Sequence, residues 1–202
     1  MKHAAVLALL VVLVAGCASG SASVAEKKAT KPACTPKQLA GWKKLANRIR
    51  APVYCPGWLP DPLDGVIGSQ WNNINAVSRD RSYLESWVWQ ETGLGAAGGE
   101  LHVNLRGYPA RTRIPKCVDD DTAKRTLIPC FADPAGVVRA NGIAATVYTV
   151  NQDADQWHIL YAWRHAGSLY AISEHVAPPL NYAKVRIYLD HILRRLVLVR
   201  PS

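Results

Sequence analysis

No stretch of this chain is apolar over the ~20 residues that a helix needs to cross a bilayer. The apolar run at residues 4–15 is too short and, behind the basic opening Met1-Lys2-His3, suits the core of a signal peptide. C-x-x-C spacing is absent, which removes the common structural zinc sites. G-x-S-x-G and H-E-x-x-H are also missing, so no nucleophile elbow and no zinc-protease helix is encoded. Asp119-Asp120-Asp121 lacks the alternating oxygens, the glycine and the distal glutamate of a calcium loop. Beside Arg111, Arg113, Lys116, Lys124 and Arg125 it reads as a charge-balanced polar loop. Gly93 to Gly99 formally contains G-x-G-x-x-G, yet strand-like residues 100–106 follow where a phosphate site needs a helix N-terminus. A hairpin loop is expected there instead. In Ser173-Glu174-His175, neighbours on a strand face opposite ways, so Glu174 cannot orient His175 toward Ser173. Local motifs therefore predict no catalytic residue, no cofactor and no metal site. His102, His158, His165, His175 and His191 read as scattered, with His158 and His175 the one pair expected to approach across a hairpin.

What is present is concentrated in the last third. Trp157, Ile159, Tyr161 and Trp163 fall at every second position, which predicts one face of a strand. Residues 169–175 form its antiparallel partner through the short loop at His165-Ala166-Gly167-Ser168. Val185, Tyr188, Leu189, Ile192, Leu193 and Leu196 then repeat at helical spacing, a stripe that must lie on something, with the aromatic face of the sheet nearest.

At the other end, Val14-Ala15-Gly16-Cys17 resembles the bacterial lipobox, whose cysteine becomes the acylated N-terminus. The resemblance implies a signal peptide at residues 1–16 and lipidation of Cys17. Residues 18–30 hold little besides small and polar side chains and predict a tether, so residues 17–31 carry the lipidated cysteine and tether and residues 32–202 one folded domain. Setting Cys17 aside leaves Cys34, Cys55, Cys117 and Cys130, an even set suited to disulfides in an oxidising compartment. Local pairing favours Cys34 with Cys55 and Cys117 with Cys130.

Thr35, Pro36 and Gln38 form a helix start, with Leu39, Trp42, Leu45 or Ala46, and Ile49 as the buried face. Trp58 is expected to pin the proline-rich segment at residues 56–62 to the core. Tyr83, Trp87 and Trp89 alternate in a second strand, and Leu101, Val103 and Leu105 in a third. Asp133-Pro134-Ala135-Gly136 and Asn141-Gly142 read as turns, with strands at residues 137–139 and 143–150.

Trp58-Leu59-Pro60, residues 143–150, and Trp163 followed by Gly167-Ser168-Leu169-Tyr170 and an amphipathic helix together resemble a domain of unknown function. That domain occurs in bacterial envelope lipoproteins and in the extracytoplasmic parts of anti-sigma factors. The resemblance implies a half-barrel built around a helix and assigns no catalytic residue. The expected fold is α+β, a curved antiparallel sheet packed by the C-terminal helix and flanked by the N-terminal one. The expected function is that of a non-enzymatic envelope protein anchored to the membrane by lipid. Its ligand would be apolar or amphipathic, or a partner protein, held on the sheet face by Trp87, Trp89, Trp157, Tyr161 and Trp163. A secreted hydrolase with dispersed catalytic groups is the alternative. The chain carries 24 basic and 15 acidic side chains, a formal +9 that includes Lys2 of the leader. Lys184, Arg186, Arg194 and Arg195 crowd the outer face of the last helix, which fits an anionic membrane surface. The aromatic interleaving of a nucleic-acid groove is missing there, so no nucleic-acid partner is expected.

Overall fold

The computed structural model describes residues 31–90, 99–119 and 125–202. The compact unit spans Lys31–Ser202, and Cys17 with its tether lies outside the described residues. Helix α1, Pro36–Ile49, begins as its first residues dictate. Thr35 Oγ1 accepts from the Gln38 amide (3.3 Å), and the Gln38 side chain accepts in return from the Thr35 amide (2.8 Å). The Gln38 side-chain amide also donates to the carbonyls of Pro56 (3.1 Å) and Asp64 (2.6 Å), which fastens the helix start to the irregular segment after it. Gln38 thus joins Trp42, Leu45, Ala46 and Ile49 on the buried face, while Leu39 is exposed. Both expected disulfides form, Cys34–Cys55 and Cys117–Cys130.

Seven antiparallel strands make the main sheet: β2 (Asn72–Val77), β3 (Tyr83–Gln90), β4 (Glu100–Tyr108), β7 (Phe131–Ala140), β8 (Ile143–Asn151), β9 (His158–His165) and β10 (Ser168–His175). Their order is β2-β3-β4-β10-β9-β8-β7, so β4 pairs with a strand far along the chain. Two short ribbons accompany it: β1 (Val53–Pro56) with β11 (Leu196–Val199), and β5 (Lys116–Val118) with β6 (Leu127–Pro129). Helix α2 is Tyr182–Arg194, capped by the Asn181 side chain on the Lys184 amide (2.9 Å).

Alternation gives the sheet two different faces. Trp87, Val103, Leu105, Ile159, Tyr161, Trp163, Tyr170 and Ile172 share one apolar core with Trp42 and Ile49 of α1 and Val185, Leu189, Ile192 and Leu193 of α2. On the other face Tyr108, Phe131, Leu160, Ala162, Leu169 and Ala171 form a smaller apolar patch against the Cys117–Cys130 disulfide. Beyond that patch the second face carries His102, Asn104, Arg106, His158, Ser173 and His175, beside Leu84 and Val88 of β3.

Several sequence expectations are corrected. Trp157 does not share the aromatic face: it precedes β9 at φ +64 and is 73% exposed. Residues 133–136 lie within β7, where a bulge shifts the register between Pro134 and Gly136. An edge strand tolerates proline because one row of its backbone groups has no partner strand. Leu196 belongs to β11, not to the helix, since the run Leu196-Val197-Leu198-Val199 pairs with β1. The two-residue turns Asn141-Gly142 (φ +50, +72) and Ala166-Gly167 (φ +47, +74) have the positive φ values that a tight hairpin demands. The glycine-rich segment lies mostly outside the described residues, and the strand β4 follows it, not a helix.

Candidate metal centre

The polar face of the sheet brings together three histidines that lie far apart in sequence. His158 stands directly opposite His175 in the β9–β10 ladder, and directly paired residues share a face. Asn104 of β4 pairs with Ser173 of β10, which puts His102, two residues back on β4, level with His175. The imidazole centroids are 4.7 Å apart for His102 and His158, 5.1 Å for the stacked pair His158 and His175, and 6.1 Å for His102 and His175. One nitrogen from each ring falls within 4.8 Å of the others. The histidines that read as scattered in sequence are neighbours here, because the order of non-consecutive strands assembles the group.

Oxygen atoms lie against every ring, on both nitrogens of His102. Glu100 Oε1 lies 2.9 Å from His175 Nδ1 and 3.5 Å from His102 Nδ1. Ser86 Oγ is 3.0 Å from His102 Nε2, and Ser173 Oγ is 2.9 Å from His158 Nδ1. The 3-10 turn Asp153–Asp155 between β8 and β9 lowers the buried Asp155 onto this layer. There Asp155 Oδ1 accepts from Ser173 Oγ (2.5 Å) and Asn104 Nδ2 (2.9 Å), and Oδ2 pairs with Arg106 Nε at 2.7 Å.

Burial disfavours the charged imidazolium, as do the neighbouring His102, His175 and Arg106, so the His158 ring is pushed down to about 2. Burial also lowers His102, against the opposing pull of Glu100. Burial opposes ionisation of Glu100, but the hydrogen bond and charge of His175 outweigh it and hold the carboxyl below its usual range. Neutral imidazole is the form that ligates a metal, and a carboxylate or hydroxyl behind the ring is the usual means of orienting it. Tetrahedral coordination with Zn–N near 2.0–2.1 Å puts ligand nitrogens ~3.3 Å apart. The present spacing of up to 4.8 Å is wider than that, and His102 and His175, the two outer rings of the group, are both partly exposed. Three such ligands would leave a tetrahedral ion one further position for water or an external group.

The same residues do not build a Ser-His-Asp triad. In such a triad the imidazole stands between hydroxyl and carboxylate. Here the hydroxyl of Ser173, 1% exposed, stands between His158 and Asp155 and donates its hydrogen bond to the acid. Glu174 points to the other face, as alternation requires, and neither carboxyl oxygen has a hydrogen-bond partner.

The aromatic residues expected to bind ligand are elsewhere. Trp87, Tyr161 and Trp163 are at most 2% exposed within the main core, Trp89 is packed against that core, and Trp157 is on the turn before His158. Trp58 does pin its segment, stacking on His191 of α2 at 4.1 Å between centroids. On the outer side of α2, Lys184, Arg194 and Arg195 are exposed. Arg186 is engaged: its Nε donates to the Tyr161 hydroxyl (2.6 Å), which donates to Asp190 (2.8 Å). His102 carried a signal in sequence, since it alternates with Leu101 and Val103, but only the pairing of β4 with β10 reveals its partners. Among the described residues no helix is long and apolar enough to cross a membrane. No protein-family model matches the chain, and no curated protein or solved structure shows significant similarity to it.

Proposed function

We propose that this chain is an extracytoplasmic, lipid-anchored protein that binds one divalent first-row transition-metal ion at His102, His158 and His175, without catalysing a reaction. The observation that carries this reading is the convergence of three imidazole nitrogens within 4.8 Å, with hydrogen-bonding oxygens behind every ring. An all-imidazole donor set suits Zn(II), Cu(II) or Ni(II) and is poor for the oxygen-seeking Ca(II) and Mg(II). The four cysteines of the folded unit are tied in disulfides, which leaves it no thiolate to favour Cu(I) and agrees with an oxidising compartment. Lipidation at Cys17 would hold the site near the membrane. In this reading the sheet curves with α2 across its apolar face, and the ligand-binding role passes from that face to the polar one. An apolar ligand among Trp87, Tyr161 and Trp163 would have to displace core side chains, whereas the three imidazoles already converge on one another. The basic residues Lys184, Arg194 and Arg195 remain available to an anionic membrane surface.

The test is titration of the detergent-solubilised chain with Co(II), followed by displacement with Zn(II). One ion per chain and a visible ligand-field band are expected. His158→Ala and His175→Ala should each weaken binding at least 10-fold, and His165→Ala should leave it unchanged. Binding that is absent, or indifferent to the first two variants, would sink the reading. A hydrolytic role is favoured by one feature, the position that three ligands leave open to water. Esterase or peptidase activity that appears with the ion and vanishes in His158→Ala would establish it instead.

A further inference from the structure

The hydrogen bonds behind His158 allow it only one arrangement of protons. Asp155, paired with Arg106 at 2.7 Å, accepts hydrogen bonds and donates none. Ser173 Oγ lies 2.5 Å from Asp155 Oδ1 and commits its single proton there. The same oxygen is 2.9 Å from His158 Nδ1, and with its proton committed it can only accept from that nitrogen. The hydrogen of the neutral ring is therefore on Nδ1, and the lone pair is on Nε2.

We infer that Asp155, acting through Ser173, is a positioning residue that holds His158 as the Nδ1–H tautomer and so presents its Nε2 lone pair to the ion. This rests on the metal-binding reading above. A free imidazole side chain favours the opposite tautomer, in which a hydrogen occupies the nitrogen that the ion needs, so the relay sets the ring against its own preference. The acid is itself fixed. Asn104 Nδ2 donates to Asp155 Oδ1 (2.9 Å) and to the Ala154 carbonyl (2.7 Å), which ties the 3-10 turn to β4. Such a support also explains why a serine, an aspartate and an arginine are gathered in a buried layer where each isolated polar group would be costly. Supports of this kind are generally worth 10–100-fold in metal affinity.

Long-range proton–nitrogen correlation NMR on the ion-free chain in detergent reads the tautomer without any metal. The expected result is a protonated Nδ1 and an unprotonated Nε2 at His158. A protonated Nε2 in the wild type overturns the inference directly, before any variant is made. In Ser173→Ala the Nε2–H form should gain population and Zn(II) affinity should fall 10–100-fold, while Ser173→Thr restores both. Circular dichroism establishes that each variant is folded before it is scored. An unchanged tautomer in folded Ser173→Ala overturns the relay. The two failures are distinguishable: the wrong tautomer with intact Zn(II) binding removes the relay alone. The expected tautomer in a chain that binds no ion removes the metal reading and, with it, the role given to Asp155.

Discussion

Glu85 and Glu174 are fully buried on the core face of the sheet, where carboxyl groups are rare. Asn72 donates to one oxygen of Glu85 (3.2 Å), while Glu174 has no hydrogen-bond partner among the described residues. Burial raises Glu85 to about 8 and Glu174 to about 9, so both remain protonated across neutral pH. The folded state then keeps a proton that the unfolded chain releases above its ordinary carboxyl range. The stabilisation from that proton is fully present below pH ~4.5 and is lost as pH rises toward about 8 for Glu85 and about 9 for Glu174, by at most about 1.4 kcal/mol per pH unit for each group. His158, lowered by burial, acts in the opposite sense, losing stability as pH falls below its unfolded value near 6.5. Urea unfolding of the wild type and Glu85→Gln at pH 5 and pH 8 separates the two, because the imidazole contribution cancels in the difference. The variant should gain on the wild type as pH rises. A difference independent of pH would show that Glu85 is ionised in the fold. Nothing in the sequence marked either residue, since a glutamate within an alternating strand looks the same whether its face is wet or dry.

Elements with local causes were legible. The start of α1 follows from Thr35, Pro36 and Gln38 alone, and the two tight hairpins follow from Asn141-Gly142 and Ala166-Gly167. Those that depend on a distant partner were misread. The helical spacing continues numerically through Leu196, but β1 offers that residue a ladder and the chain takes it. The β5–β6 hairpin is closed by Cys117–Cys130, with a sequence separation of 13, and the disulfide packs on the smaller apolar patch. Its replacement by alanines should cost about 3 kcal/mol on the chain-entropy account of a loop of that size. Amide exchange should accelerate in β5 and β6, while β9 and β10, in the middle of the sheet, remain protected. Equal acceleration in the central strands would mean that the hairpin belongs to the same cooperative unit as the histidine site.

For the molecule as a whole, the lipobox resemblance ties function to place. If acyl chains at Cys17 provide most of the membrane affinity, Cys17→Ala should release the protein from the membrane fraction or leave it as an unprocessed precursor. Normal processing together with unchanged fractionation would refute the anchor. Release should leave the affinity of the histidine site for Zn(II) unchanged, because all of its residues lie within the compact unit Lys31–Ser202.

By itself the sequence determined the α+β class, the antiparallel hairpins, the capped start of α1 and the disulfide partners expected from local pairing. Each depends on residues near one another in the chain, or on a period that one face imposes. Only the tertiary structure decided that the aromatic stripe is core and that the opposite face gathers the three histidines. Period-two alternation shows that Ile159, Tyr161 and Trp163 share a side, without saying whether protein or solvent lies beyond it. It likewise puts His102 on one side of β4 without naming the strand beside it. That neighbour is β10, more than sixty residues later, and the order β3-β4-β10-β9, with the 3-10 turn before β9, places three dispersed histidines, the acids Glu100 and Asp155, and the hydroxyls of Ser86 and Ser173 in a single layer.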